Sequence, residues 1–74
     1  MKFDFNNDGT WDCYGDDGLY VIEVCDDGDF VATYTDDDTG DESKSAEAFD
    51  TFKKAVEWCK HFESMLKQLM WRDT

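Results

Sequence analysis

Apolar and polar residues alternate with a period of two over the first half of this chain and with a helical period over the second. Successive side chains on a strand point to opposite faces, whereas a helix gathers residues three and four apart on one face. Three Asp-Gly dipeptides, Asp8-Gly9, Asp17-Gly18 and Asp27-Gly28, cut the first half at nearly regular spacing. Asp-Gly suits tight hairpin turns whose central residues need positive φ. The pattern predicts an antiparallel meander of three or four strands over Lys2–Phe5, Thr10–Gly15, Leu19–Asp26 and Asp29–Thr35.

Two-residue turns at Asp17-Gly18 and Asp27-Gly28 would place Cys13 opposite Ile22 and Ile22 opposite Thr33. Trp11 would then face Val24, and Val24 would face Val31. These residues, with Tyr20, would form an apolar core face. The other face would collect Asp12, Tyr14, Val21, Glu23, Cys25, Phe30, Ala32 and Tyr34, mixing carboxylates with aromatics in the open. On that face Glu23 and Asp12 would stand opposite each other. A two-residue turn at Asp8-Gly9 would send Phe3 and Phe5 to the open face. A three-residue loop would send them to the core, and this is the preferred arrangement.

Asp36 to Ser45 is a polar loop without an apolar residue. The period then changes: Ala48, Phe52, Ala55, Cys59, Phe62, Leu66 and Leu69 recur at helical spacing. The spacing predicts a helix over residues 46–71. Ser45 would be its N-cap, with Glu47 and Asp50 near the positive end and Lys67 and Arg72 near the negative one. At ~1.5 Å per residue such a helix is about 39 Å long, against about 23 Å for a seven-residue strand. It should overhang the sheet, and its last turns, with Met65, Leu69, Met70 and Trp71, call for a partner or a second copy of the chain. Segments 1–35, 36–45 and 46–71 thus make one α+β domain, a meander followed by an acidic loop and a long helix packed on one sheet face. Seventy-four residues leave no room for a second domain.

Charge changes the picture. The formal net charge is −12, and it is segregated. Residues 1–43 carry Lys2 against fourteen acids, a net of −13, while residues 44–74 carry six bases against five acids, a net of +1. Acids added for solubility alone, or for high salt, would spread over both halves. Segregation points to a field aimed at a basic partner, and it makes bare nucleic acid and anionic membranes unsuitable partners for the acidic half. Hydrophobic content of 41% is too high for a disordered acidic tail. Three cysteines without a CxxC pair suggest neither a disulfide framework nor a zinc site, and Met1–Phe5 lacks the apolar stretch of a signal peptide. The expectation is a cytoplasmic protein with reduced thiols.

The candidate partner-binding residues are Asp12, Asp16, Asp17, Glu23, Asp26, Asp27, Asp29, Asp36, Asp37, Asp38, Asp41 and Glu42, with Tyr14, Phe30 and Tyr34 as an exposed aromatic cluster among them. Carboxylates arrayed on a rigid sheet can fill a site that meets phosphates with Lys and Arg. Aromatics would supply contact energy while charge steers approach. A second pattern is calcium-like. Asp4, Asn6, Asp8 and Gly9 fit the opening of an EF-hand loop, with Asp12 at the ninth position. The twelfth position is Gly15 where a bidentate Glu is required, so the turn reading outweighs a metal site and no cofactor is expected. Catalysis finds little support. His61 lies on the polar side of the helix near Glu57, Cys59 lies in the apolar stripe, and the paired aspartates sit on turn tips.

In size, charge and layout the chain resembles the small acidic DNA-mimic inhibitors of phages and mobile elements, of the anti-CRISPR and anti-restriction kind. The resemblance implies a non-enzymatic protein in the host cytoplasm that occupies the nucleic-acid-binding site of a host complex. A second reading, from the residues alone, is an acidic adaptor for a basic protein, dimeric through its overhanging helix. A third is a calcium-binding module.

Overall fold

In the computed structural model, which describes residues 2–72 and the side chains of residues 2–68, the chain forms an antiparallel sheet followed by one helix. The strands are β1 (Asp4–Phe5), β2 (Thr10–Tyr14), β3 (Gly18–Val24), β4 (Phe30–Asp36) and β5 (Glu42–Lys44). They lie in sequence order across the sheet, a five-stranded meander. The helix α1 (Phe52–Arg72) packs on β4 and β3. The α+β layout expected from the change of period is therefore the observed one.

The turns set the register, and they differ from the expected ones. Gly15 N donates to Gly18 O at 2.8 Å, so the β2–β3 turn is centred on Asp16-Asp17 and not on Asp17-Gly18. Trp11 consequently faces Ile22, and Cys13 faces Tyr20. This slip of two positions leaves the faces of β2 and β3 as expected. The β3–β4 loop slips by one. Cys25 N donates to Asp29 O at 2.7 Å around Asp26, Asp27 and Gly28, with Gly28 at φ 89°. A glycine in that left-handed region closes a three-residue loop. Ile22 now faces Ala32, and Val24 faces Phe30. A one-residue slip exchanges the faces of a strand. Phe30, Ala32 and Tyr34 therefore join the core, and Val31 and Thr33 leave it. At β1 the loop has three residues with Gly9 at φ 88°, Phe5 faces Trp11, and Phe3 packs against the core. Phe5 lies on the core side of the sheet but remains 62% exposed.

The core is Tyr20, Ile22, Ala32 and Tyr34 from the sheet and Ala55 and Cys59 from the helix, flanked by Trp11, Phe30, Phe52 and Phe62. Aromatic rings do much of the packing. The Tyr20 and Tyr34 centroids are 4.8 Å apart, with Phe62 at 4.9 Å from Tyr34, and Trp11 meets Phe52 at 5.0 Å.

The expected 36–45 loop contains β5, whose Ser43 faces Tyr34. The expected helix start at residue 46 is displaced to Phe52. Ser45 is not its N-cap: its hydroxyl accepts from Ala32 N at 3.2 Å and donates to Glu47 O at 2.9 Å. Phe49 exchanges both backbone hydrogen bonds with Phe30, each at 2.7 Å. These contacts satisfy backbone groups along the β4 edge that would otherwise need other partners. Thr51 caps the helix instead, its Oγ1 accepting from Lys54 N at 3.2 Å. No acid stands in the first turn; the later start moves Glu47 away from the positive end, and Asp50 directly precedes the Thr51 cap. Asp50 pairs with Lys54 at 2.8 Å on the surface.

At the far end, Lys67 reaches the β2–β3 turn and the helix continues through Arg72. Met65 is 47% exposed. The expectation for the side chains of Leu69, Met70 and Trp71 falls outside the described residues. Among the described residues no helix is long and apolar enough to cross a membrane.

Candidate interaction surface

The meander places its acids in two banks, because each turn is built around aspartate. At one end of the sheet lie the β2–β3 turn and the β4–β5 loop. Asp37 N donates to Asp17 O at 3.0 Å, which holds the two side by side. Asp16, Asp17, Asp36, Asp37, Asp38 and Asp41 are thereby brought together, with Glu42 next in β5. The Asp36 carboxylate closes its own loop, since its Oδ1 accepts from the backbone N–H of Asp38 at 2.8 Å and of Thr39 at 3.2 Å. Asp37, Asp38 and Asp41 stand exposed beyond it. Among the described residues, the one cation shown against this bank is Lys67, 3.3 Å from Asp16 Oδ2 with both groups exposed. Glu63, also on the helix, accepts from Asp16 N at 3.2 Å.

The other bank lies at the opposite end, on the β1–β2 and β3–β4 loops. Asp26 and Asp27 are exposed there, Asp29 is half-buried, and Asp27 Oδ1 accepts from Asp29 N at 3.2 Å. Seven-residue strands separate the banks by about 23 Å. A nucleic-acid strand, at about 3.4 Å per charge, would place about seven phosphates over that span.

Between the banks, the face of the sheet away from the helix is fixed by the register. One row runs Asp4, Asp12, Val21, Thr33, Lys44 across all five strands. A second runs Thr10, Glu23, Val31, and a third Tyr14, Leu19, Thr35, Glu42. Asp12, Glu23 and Tyr14 are therefore on the open face as expected, with Tyr14 77% exposed. Glu23 faces Thr10 and Val31, so the expected Glu23–Asp12 opposition is replaced by a diagonal relation. Phe30 and Tyr34 do not belong to the surface. Phe30 packs against the core and Tyr34 is 3% exposed. The exposed aromatic cluster reduces to Tyr14.

The calcium-like residues are otherwise engaged. Asp8 Oδ1 accepts from Thr10 N and Thr10 Oγ1, at 3.2 and 2.8 Å. Asn6 Nδ2 donates to Thr10 Oγ1 and to Asp12 Oδ2, at 3.1 and 3.2 Å. Asp4 sits across from Asp12 on the open face. The Asp-Asn-Gly pattern is that of a bulged turn, and among the described residues no three His, Cys, Asp or Glu side chains converge as metal ligands.

Sequence reasoning missed Leu19, Val31, Thr33, Thr35 and Lys44 as surface residues, together with the reach of Glu63 and Lys67 to the Asp16 turn. A signal for β4 existed in its composition. Phe30, Ala32 and Tyr34 alternate with Val31, Thr33 and Thr35, and the two large rings mark the core side without any appeal to the turn.

One thiol and two phenols lie inside, while the Cys25 thiol is exposed and that of Cys13 half-buried. Burial pushes the Cys59 thiol up to about 12. Burial, then the nearby Glu63 charge, raises the Tyr20 phenol, and burial followed by Asp36 raises that of Tyr34. All three stay protonated at neutral pH. His61 is exposed on the helix beside Glu57, Lys60 and Ser64. No family model, curated protein or solved structure matches the chain.

Proposed function

We propose that this chain is a non-catalytic acidic binding protein that inhibits or regulates a nucleic-acid-binding protein by occupying its basic site. The observation that carries this reading is the pair of carboxylate banks held at both ends of a rigid sheet, while six of the seven cations lie at Lys44 or beyond. Backbone hydrogen bonds fix the banks, so their charges are presented in a set geometry, as phosphates are on a duplex. A surface that meets phosphates with Lys and Arg would meet these carboxylates in the same way, releasing its own condensed anions. The protonated, buried Cys59 and the exposed His61 supply neither a thiolate nor an oriented base, which supports a binding role over a catalytic one.

The test is a pull-down with tagged protein from nuclease-treated lysate of the host cell, eluted by a salt gradient. Recovery of one nucleic-acid-binding complex, released by salt and displaced by its own DNA or RNA, is the expected result. A partner indifferent to nucleic acid would replace mimicry by the adaptor reading. The affinity for the recovered complex should fall by about tenfold or more between 50 and 200 mM salt, because several ion pairs are screened together.

A further inference from the structure

We infer that the helix-free face of the sheet docks a basic protein segment with an aliphatic centre, such as an amphipathic helix with one side of Leu, Ile or Val flanked by Lys and Arg. The inference rests on the reading that the partner is basic, and adds where and by what contact it is held. The helix α1 covers the other face through β3 and β4, and this face is left to its own side chains. Its centre is Leu19, Val21, Val31, Thr33 and Thr35, five uncharged neighbours on the two long middle strands, all half-buried. Its margin carries Asp4, Asp12, Glu23 and Glu42, with Lys44 at the β5 edge and Lys2 beside Asp4 and Asp12 at the β1 edge. A sheet face shaped by solubility alone would interleave charges of both signs through its middle. An apolar centre inside a polar rim is instead the anatomy of a protein interface. Tyr14, 77% exposed at one corner, adds an aromatic anchor.

The charge of the rim selects the occupant. A second copy docking through the same face would set these four carboxylates against their counterparts, in a pair of chains each at −12. Nucleic acid and anionic lipid carry the same sign as the rim. A basic segment satisfies both parts of the surface, since its cations meet the rim and its aliphatic side chains cover the Val21–Val31 strip. Sheets of this breadth, five strands at about 4.8 Å, give roughly 19 Å of width, enough for a helix about 10–12 Å across.

The experiment is an NMR titration of the ¹⁵N-labelled chain with two peptides of equal charge, oligolysine and a longer, helical Leu/Lys amphipathic peptide with the same number of lysines. It is run at low salt and at about 1 M NaCl, where the Debye length is ~3 Å. Oligolysine should shift amides of both turn banks and be released by salt. The Leu/Lys peptide should in addition shift Val21, Val31 and Thr33 and stay bound in high salt. The double variant V21T/V31T, which keeps side-chain shape and strand preference, should weaken the Leu/Lys peptide in high salt by about fivefold or more and leave oligolysine unchanged. If both peptides map to the turns alone, the docking face is wrong and the basic-partner reading survives. If neither binds, both fall. Concentration-dependent shifts on this face without peptide would assign it to a second copy and overturn the proposal.

Discussion

Gly18 shows how one hydrogen atom can set the packing of a whole end of this sheet. A Cβ there would lie 2.7 Å from the Tyr34 hydroxyl and would collide with the Thr35 carbonyl oxygen. The carbonyl is backbone within the β3–β4 ladder and has nowhere to go. Gly18→Ala should therefore cost about 2 kcal/mol or more, read as a lower urea midpoint with the m-value retained. Gly15→Ala should cost less, because one of its obstacles is the end of the flexible Glu63 side chain, although the other is the Tyr20 ring at 2.7 Å. The hydroxyls of Tyr20 and Tyr34 are buried without a hydrogen-bond partner among the described residues. Since an unmet buried donor is a liability, Tyr34→Phe should match or exceed the parent in stability, and a clear loss would show that the hydroxyl is satisfied in solution. These phenols and the Cys59 thiol also predict an alkaline limit. Their folded pKa values are raised, so the fold keeps protons that the unfolded chain releases. Stability from this source is complete below about pH 8.5, the ordinary thiol range. It falls as pH rises, first for Cys59 and then for the tyrosines above about pH 10. Urea midpoints measured from pH 7 to pH 11 should decline along that course, and Cys59→Ala should remove the earlier part of the decline.

At the scale of elements, the helix start separates two serine/threonine caps by experiment. Thr51→Ala removes the acceptor for Lys54 N and should cost about 1 kcal/mol with fraying of the first helical turn. Ser45→Ala removes the bond to Ala32 N and should loosen the β4 edge while leaving helical circular dichroism unchanged. Equal loss of helix in both variants would mean that Ser45 and Thr51 act as one cap. The same boundary shows what the chain's pattern could reveal. Ala48 and Phe49 fit the helical period that starts at Phe52, so periodicity extends the helix backwards. Tertiary pairing of Phe49 with Phe30 overrides it. The existence of helix and sheet is legible because their periods are long and unlike. The strand β5 is not, since Glu42, Ser43 and Lys44 offer no alternation and pair only because β4 presents a free edge. The register of β4 is misread because Asp-Gly fits a two-residue turn as well as a three-residue loop with glycine last, and the choice moves Phe30 and Tyr34 from surface to core. The acids on the turns, by contrast, are placed correctly by any register, since turn tips are exposed in all of them.

For the molecule as a whole, the charge distribution works against stability. Like charges crowd the Asp16 end, where the hydrogen bond from Asp37 N to Asp17 O holds two acidic turns together. Nothing in the local geometry requires every one of these carboxylates. Asp36 is needed as the acceptor for Asp38 N and Thr39 N, whereas Asp37 and Asp38 project from the loop into solvent. If the bank serves a partner, its repulsion weakens the free protein, and screening should restore what is lost. Raising NaCl from low ionic strength to about 0.5 M should therefore increase the melting temperature by roughly 5 °C, the equivalent of about 1 kcal/mol for a domain this small. Asp37→Asn with Asp38→Asn should reproduce part of that gain at low salt, about 0.5 kcal/mol, and show no gain at high salt, where the repulsion is already screened. The same double variant should bind the recovered complex more weakly. A stabilised variant with intact binding would move the contact to the Asp27 end or the open face. A destabilised one would mean that Asp37 and Asp38 are there to fold the loop. Gain of stability together with loss of binding is the outcome that a surface built for a basic partner requires.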